Sequence, residues 1–141
     1  MSRRKPSTLV EAFSEYGQAQ LGQVASALSL AGGMKPTRTG LLCLSYRGSN
    51  VEYRTYLDAQ EGSLVTSVIV EGYDPQLRAD LAQIVIAAGL GPAQAVRKSA
   101  RSIHAMRKSL ESQAMLISRV HSLVTGPDGV RLLQRAKLVS I

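Results

Sequence analysis

Between residues 40 and 70 the chain carries three short runs rich in Val, Leu, Tyr and Thr, roughly 40–47, 50–57 and 63–70, set between stretches whose apolar residues recur at helical spacing. This block narrows the choice of fold more than any other feature, because β-branched and aromatic runs joined by short turns pair as antiparallel strands and need a layer to cover them. The expected class is α+β and helix-rich: an N-terminal helix, a three-stranded antiparallel sheet, then two or more helices, one of them long, basic and amphipathic.

The flanking segments supply that layer. Thr8 followed by Glu11 fits a capping box, and Val10, Phe13, Leu21, Val24 and Leu28 keep helical spacing until Gly32-Gly33, so a first helix is expected over about 8–31. Its other side is small and uncharged (Gly17, Ala19, Gly22, Ala25, Ser26), suited to close packing inside the domain or against a second copy. Asp74-Pro75 opens a further expected helix with Leu77, Leu81, Ile84, Val85 and Ala88 as its stripe, ended by Gly89-Leu90-Gly91-Pro92. A long helix is then expected over 93–124, up to Gly126-Pro127-Asp128-Gly129, and the tail 130–141 reads equally as helix or strand.

A two-residue turn at Gly48-Ser49 would set Tyr46 opposite Val51 and Leu44 opposite Tyr53. One face of the hairpin then reads Leu42, Leu44, Tyr46, Val51, Tyr53, Leu57, and the other, polar one Cys43, Ser45, Arg47, Glu52, Arg54, Tyr56. Tyr46 and Tyr53 belong to the core on this reading, which leaves one ring, Tyr56, among the arginines.

Length and charge bound the function. At 141 residues a single domain over 8–141 is expected, preceded by a basic arm, 1–7. The lone Cys43 excludes an internal disulfide and reads as a reduced thiol. Glu11 and Glu15 interrupt any signal-peptide core, and the uncharged stretch 16–34 holds too much Gln and Ser for a transmembrane segment, so an intracellular or virion protein is expected, not one secreted by a signal peptide. Residues 1–90 balance eight Lys/Arg against eight Asp/Glu, whereas 91–141 hold nine Lys/Arg against Glu111 and Asp128, so the whole net charge of +7 sits in the last third. Such a one-sided field attracts polyanions: nucleic acid, an anionic membrane surface or an acidic protein.

On the expected long helix, Val96, Ala100, Ile103, Leu110, Ala114, Ile117 and Val124 form the apolar stripe, while Arg97, Arg101, His104 and Lys108 line up beside it with Arg119 on the same side. Glu111 is the only acid between 81 and 127, so the stripe lacks the alternating charge of many solvated helices. Met115, Leu116 and Leu123 lie outside the main stripe, which predicts that the back of the helix is buried by this domain or another subunit.

Just upstream, Gly89-Leu90-Gly91 followed by Ala95 resembles the hairpin of the helix-hairpin-helix family over about residues 81–101. The resemblance implies DNA phosphate held by hairpin amides and the following helix N-terminus, with Gly89, Gly91 and nearby Arg97 in contact and no base readout.

His104 and His121 lack metal-ligand spacing, and neither a phosphate-binding loop nor a nucleophile elbow is present. A non-enzymatic nucleic-acid-binding protein without cofactors is therefore expected, contacting DNA or RNA backbone through Arg97, Arg101, His104, Lys108 and Arg119 with the arm Arg3-Arg4-Lys5, and working as a homo-oligomer. The alternative is a self-assembling structural protein, such as a viral coat, nucleocapsid or matrix-like subunit, whose basic surface faces a genome or an anionic membrane.

Overall fold

The computed structural model describes residues 8–73 and 75–141. Helix α1 (Leu9–Ala27) starts at Thr8, whose Oγ1 accepts the Glu11 N–H at 3.1 Å. It ends earlier than expected because Ser29 turns left-handed (φ 59°) and lets the Leu30 N–H reach the Ala25 carbonyl at 2.8 Å. The chain then enters a strand, β1 (Ala31–Lys35), followed by β2 (Leu42–Gly48), β3 (Val51–Asp58), β4 (Ser63–Val70) and β5 (Leu77–Asp80).

These make one antiparallel meander in sequence order, so the sheet has five strands where the sequence pattern predicts three. The two additional strands lie where helix signals dominated. Gly32-Gly33, expected to stop a helix, instead lets β1 lie close against β2, since a Cβ at Gly32 would overlap the Ser45 carbonyl. Leu77 and Ala79 alternate with Arg78 and Asp80 along the far edge, and helix α2 (Leu81–Ala87) begins only after them, the Asp80 N–H donating to Gln83 Oε1 at 2.9 Å.

The hairpin also differs from expectation. Ser49 and Asn50, both at positive φ, form its two-residue turn, so Gly48 pairs with Val51 and Tyr46 with Tyr53. The register moves by two residues, which leaves every side chain on its expected face. Gly48 is needed for space, since a Cβ there would lie 2.9 Å from the Ser29 carbonyl oxygen.

Leu44, Tyr46, Val51, Tyr53, Leu57, Leu64, Val68 and Ala79 point to the helices and form the core with Phe13 and Leu21 of α1. The long helix α3 (Ile103–Thr125) packs on α1 within the same chain, and α4 (Gly129–Ala136) settles the ambiguous tail as helix, burying Leu132, Leu133 and Ala136. Small residues of α1 thus serve intramolecular contact, as at Gly17, where a Cβ would press on Leu44 Cδ1.

Candidate nucleic-acid interface

The expected helix over 93–124 starts ten residues late. Pro92 is followed by a single 3-10 turn, Ala93–Ala95, and then by an extended segment that lies along the head of β4. Leu64 N–H donates to the Lys98 carbonyl and Ala100 N–H to the Gly62 carbonyl, both at 2.8 Å. β5 pairs only with residues 67–70 of β4, so this segment takes the edge that β5 leaves open. Tertiary pairing has overridden helical spacing here, and α3 begins where Ser102 Oγ accepts the Ala105 N–H at 3.0 Å.

Buried side chains hold the segment from beneath. Gln113, fully buried on α3, donates to the carbonyls of Leu64 (2.8 Å) and Arg97 (2.7 Å) and accepts from Thr66 Oγ1, which also meets Thr55 Oγ1. Ser109 Oγ donates to the Ser99 carbonyl, and the Arg97 N–H donates to Ser112 Oγ. With its backbone fixed on both sides, Arg97 presents its side chain to solvent.

Arg97 and Lys108 meet across a groove of about 430 Å³ that Glu111, Ser112 and Met115 also line. Lys108 Nζ stands 3.8 Å from Glu111. His104 lies one turn before Lys108 on the same helix face, and Arg119 about 16 Å beyond it along the axis, at 1.5 Å per residue. Arg101, although exposed, leaves this line to pack on the turn at Gly62. Arg97 and Lys108 thus line one surface built from an extended segment and a helix, which Arg101 leaves. Arg107, which the sequence reading left out, stacks its guanidinium 4.2 Å from the Tyr16 ring centroid and ties α3 to α1. Arg3, Arg4 and Lys5 lie outside the described residues.

Gly89 ends α2 as a left-handed cap (φ 71°): its own N–H donates to the Ile86 carbonyl, and the Leu90 N–H to Val85. Gly91 follows at φ 146°, and the next α-helix begins only at Ile103. The helix N-terminus that a helix-hairpin-helix would place directly after these glycines is a 3-10 turn in this chain.

A second charged surface lies on the sheet face away from the helices. Lys35, Cys43 and Tyr56 form one cross-strand row, and Ser45, Arg54 and Ser67 the next. Glu52, expected to be solvated, is buried at the centre. Arg54 grips it through Nε at 2.8 Å and Nη2 at 3.0 Å, Lys35 Nζ lies at 3.2 Å, and Ser45 Oγ donates a further bond. Burial by itself would raise the Glu52 carboxyl, but the Arg54, Ser45 and Lys35 bonds outweigh it and bring the pKa down to about 2. Burial pushes the Cys43 thiol up despite the pull of Arg54 and Lys35, so it stays protonated. Across β4, Arg78 Nη2 donates to Ser67 Oγ at 3.0 Å and to Tyr56 Oη at 3.3 Å. Lys35, Arg38 and Arg78 escaped sequence reasoning because β1 and β5 were not read as strands; only the alternation Leu77-Arg78-Ala79-Asp80 hinted at the last.

His121, from α3, shares a hydrogen bond of 2.8 Å with Tyr53 Oη, and burial lowers its pKa. No cluster of His, Cys, Asp or Glu among the described residues could hold a metal ion, and no described helix is long and apolar enough to cross a membrane. Comparison of the chain with protein-family models, with curated proteins and with solved structures finds no match.

Proposed function

We propose that the protein binds nucleic-acid phosphates, DNA or RNA, through the Arg97–Lys108 surface without reading base sequence there and without catalysis. One observation carries this reading: Arg97, Arg101 and Arg119 make no ion pair among the described residues, and Lys108 meets a single carboxylate at the long distance of 3.8 Å. Cations left unneutralised, Arg97 and Lys108 across one groove with Arg119 farther along α3 and Arg101 beside the Gly62 turn, favour a polyanion over a solvated role. His104 adds a ring N–H that can donate to a phosphate oxygen.

The test is the salt dependence of binding to a DNA duplex, an RNA strand and anionic liposomes. With roughly six cations engaged, the arm included, affinity for nucleic acid should fall on the order of 10³-fold between about 50 and 200 mM salt. Replacing Arg97 and Arg101 together with Gln should flatten the log–log slope by about two units and leave the fold intact. Unchanged binding to all three probes would sink the reading, and selective loss of liposome binding would move the surface to a membrane.

A self-assembling structural subunit is the second reading, favoured by Met115 (52% exposed) and Leu123 (42% exposed), which stay on the surface of α3 where burial was expected. A homo-oligomer is proposed on either reading; on the assembly reading these two side chains, rather than the α1–α3 contact, lie at the interface, whereas on the first Met115 belongs to the Arg97–Lys108 groove and Leu123 alone is left for it. A monomeric mass by light scattering at micromolar concentration would refute it.

A further inference from the structure

The outer sheet face carries two adjoining hollows that share Tyr56 and Thr39. One, of about 250 Å³, is lined by Lys35, Arg38, Arg54, Thr37 and Cys43, three cations and no carboxylate. The other, of about 450 Å³, is lined by Leu41, Val65, Asp58, Ser63 and Arg78. Together they fall in the size range of small-ligand sites, roughly 300–1,000 Å³. Their chemistry differs: an anion suits the first, whereas the second pairs apolar walls and an aromatic ring with a carboxylate and with Arg78, whose guanidinium stands 5.8 Å from the Tyr56 ring centroid, so a base would lie against the ring beside it.

Arg38 makes no ion pair among the described residues, and Lys35 and Arg54 share the one carboxylate of Glu52, so the first hollow keeps a positive surplus. Asp58 Oδ1 accepts the Glu61 N–H at 3.0 Å, while its Oδ2 has no hydrogen-bond partner among the described residues. That oxygen can accept from the exocyclic amino group of a base. We propose that this face holds one nucleotide unit, its phosphate among Lys35, Arg38 and Arg54 and its base against Tyr56, Leu41 and Val65, with Asp58 favouring bases that carry an amino group. The site is separate from the Arg97–Lys108 groove and stands or falls independently of it.

Calorimetric titration with cytidine 5′-monophosphate, uridine 5′-monophosphate, cytidine and inorganic phosphate tests the proposal. The cytidine nucleotide should bind saturably, at least about tenfold tighter than either cytidine or phosphate, because only it fills both hollows. The uridine nucleotide should bind more weakly, and Asp58→Asn should narrow that gap. Arg38→Gln, in an exposed loop, and Tyr56→Leu should each weaken cytidine nucleotide binding about tenfold, as a lost charge-assisted bond or stacking contact does. The Arg97→Gln/Arg101→Gln variant should bind it as the parent does. An octacytidylate that competes with the free nucleotide, and weakens in Tyr56→Leu, identifies a single strand as the source; failure to compete identifies the free nucleotide. Equal affinity for nucleotide and inorganic phosphate, full retention of binding in Arg38→Gln and Tyr56→Leu, or no saturable binding below about 10 mM would each overturn the proposal.

Discussion

The two faces of the sheet bury neighbouring residues equally well, Leu44 and Cys43 both at 0% exposure, yet by different means. Toward the helices, apolar side chains close on one another, and a polar thread, Thr55 to Thr66 to Gln113, is bonded at every step. On the outer face Cys43 and Ile69 are buried outside that core, beside a carboxylate gripped by two cations and a hydroxyl. Burial on one side rests on water excluded by packing, on the other on charges that satisfy one another. Apolar packing itself is indifferent to pH, but each face carries a titrating group: Glu52 on the outer one and, toward the helices, His121, whose pKa burial lowers where it meets Tyr53 Oη.

The sharpest way to break the comparison is Leu44→Asp, which sets an unpaired charge among Tyr46, Tyr53 and Phe13 and should cost about 4 kcal/mol or more, enough to unfold a marginal domain. Thermal denaturation reads it. Gln113→Leu should follow at about 2–4 kcal/mol, because the carbonyls of Leu64 and Arg97 lose their donor in a dry setting. Its chemical-denaturation midpoint checks this.

Glu52→Gln should cost about 1–3 kcal/mol, since it strands Arg54 and Lys35, both partly open to water. Its ordinary pKa of 4.5 drops to about 2 on folding, so this carboxylate's contribution is complete above about pH 4.5 and is lost as pH falls through about 2. Acid titrations of parent and variant should therefore converge over that window; parallel curves would show that Glu52 is not held as described. Arg47→Gln, smallest of the four, should shift stability by no more than about 0.5 kcal/mol, because its pair with Glu71 is largely solvated. A larger loss would mean that the outer face is more tightly closed than its rim suggests.

Much of this was legible in the residues. The three strands of 40–70, the face of each hairpin side chain and the cationic character of residues 97–119 all follow from local pattern. What escaped had a nonlocal cause. Gly32-Gly33 is a helix breaker by letter and a strand by virtue of β2 beside it; Leu77–Asp80 is too short to separate alternation from a helical turn. Arg97 and Arg101 read as helical because Val96 and Ala100 keep a spacing of four, and both apolar residues are indeed buried, but from an extended backbone whose partners are the head of β4 and Gln113. Glu52 looked solvated since nothing local announces that Lys35 and Arg54 converge on it. At the proposed interface, residue types were readable and their arrangement was not.

The extended segment before α3 gives the basic surface a dependence that a helical stripe would not have. Neighbouring charges on a helix stay neighbours as long as that helix persists, whereas Arg97 and Lys108 are aligned only while Gln113 and the edge of β4 hold the intervening backbone. If this surface holds a polyanion as proposed, its affinity would report tertiary assembly. A loosened chain with its helices intact would scatter these cations and lose its grip while far-ultraviolet circular dichroism still looked native.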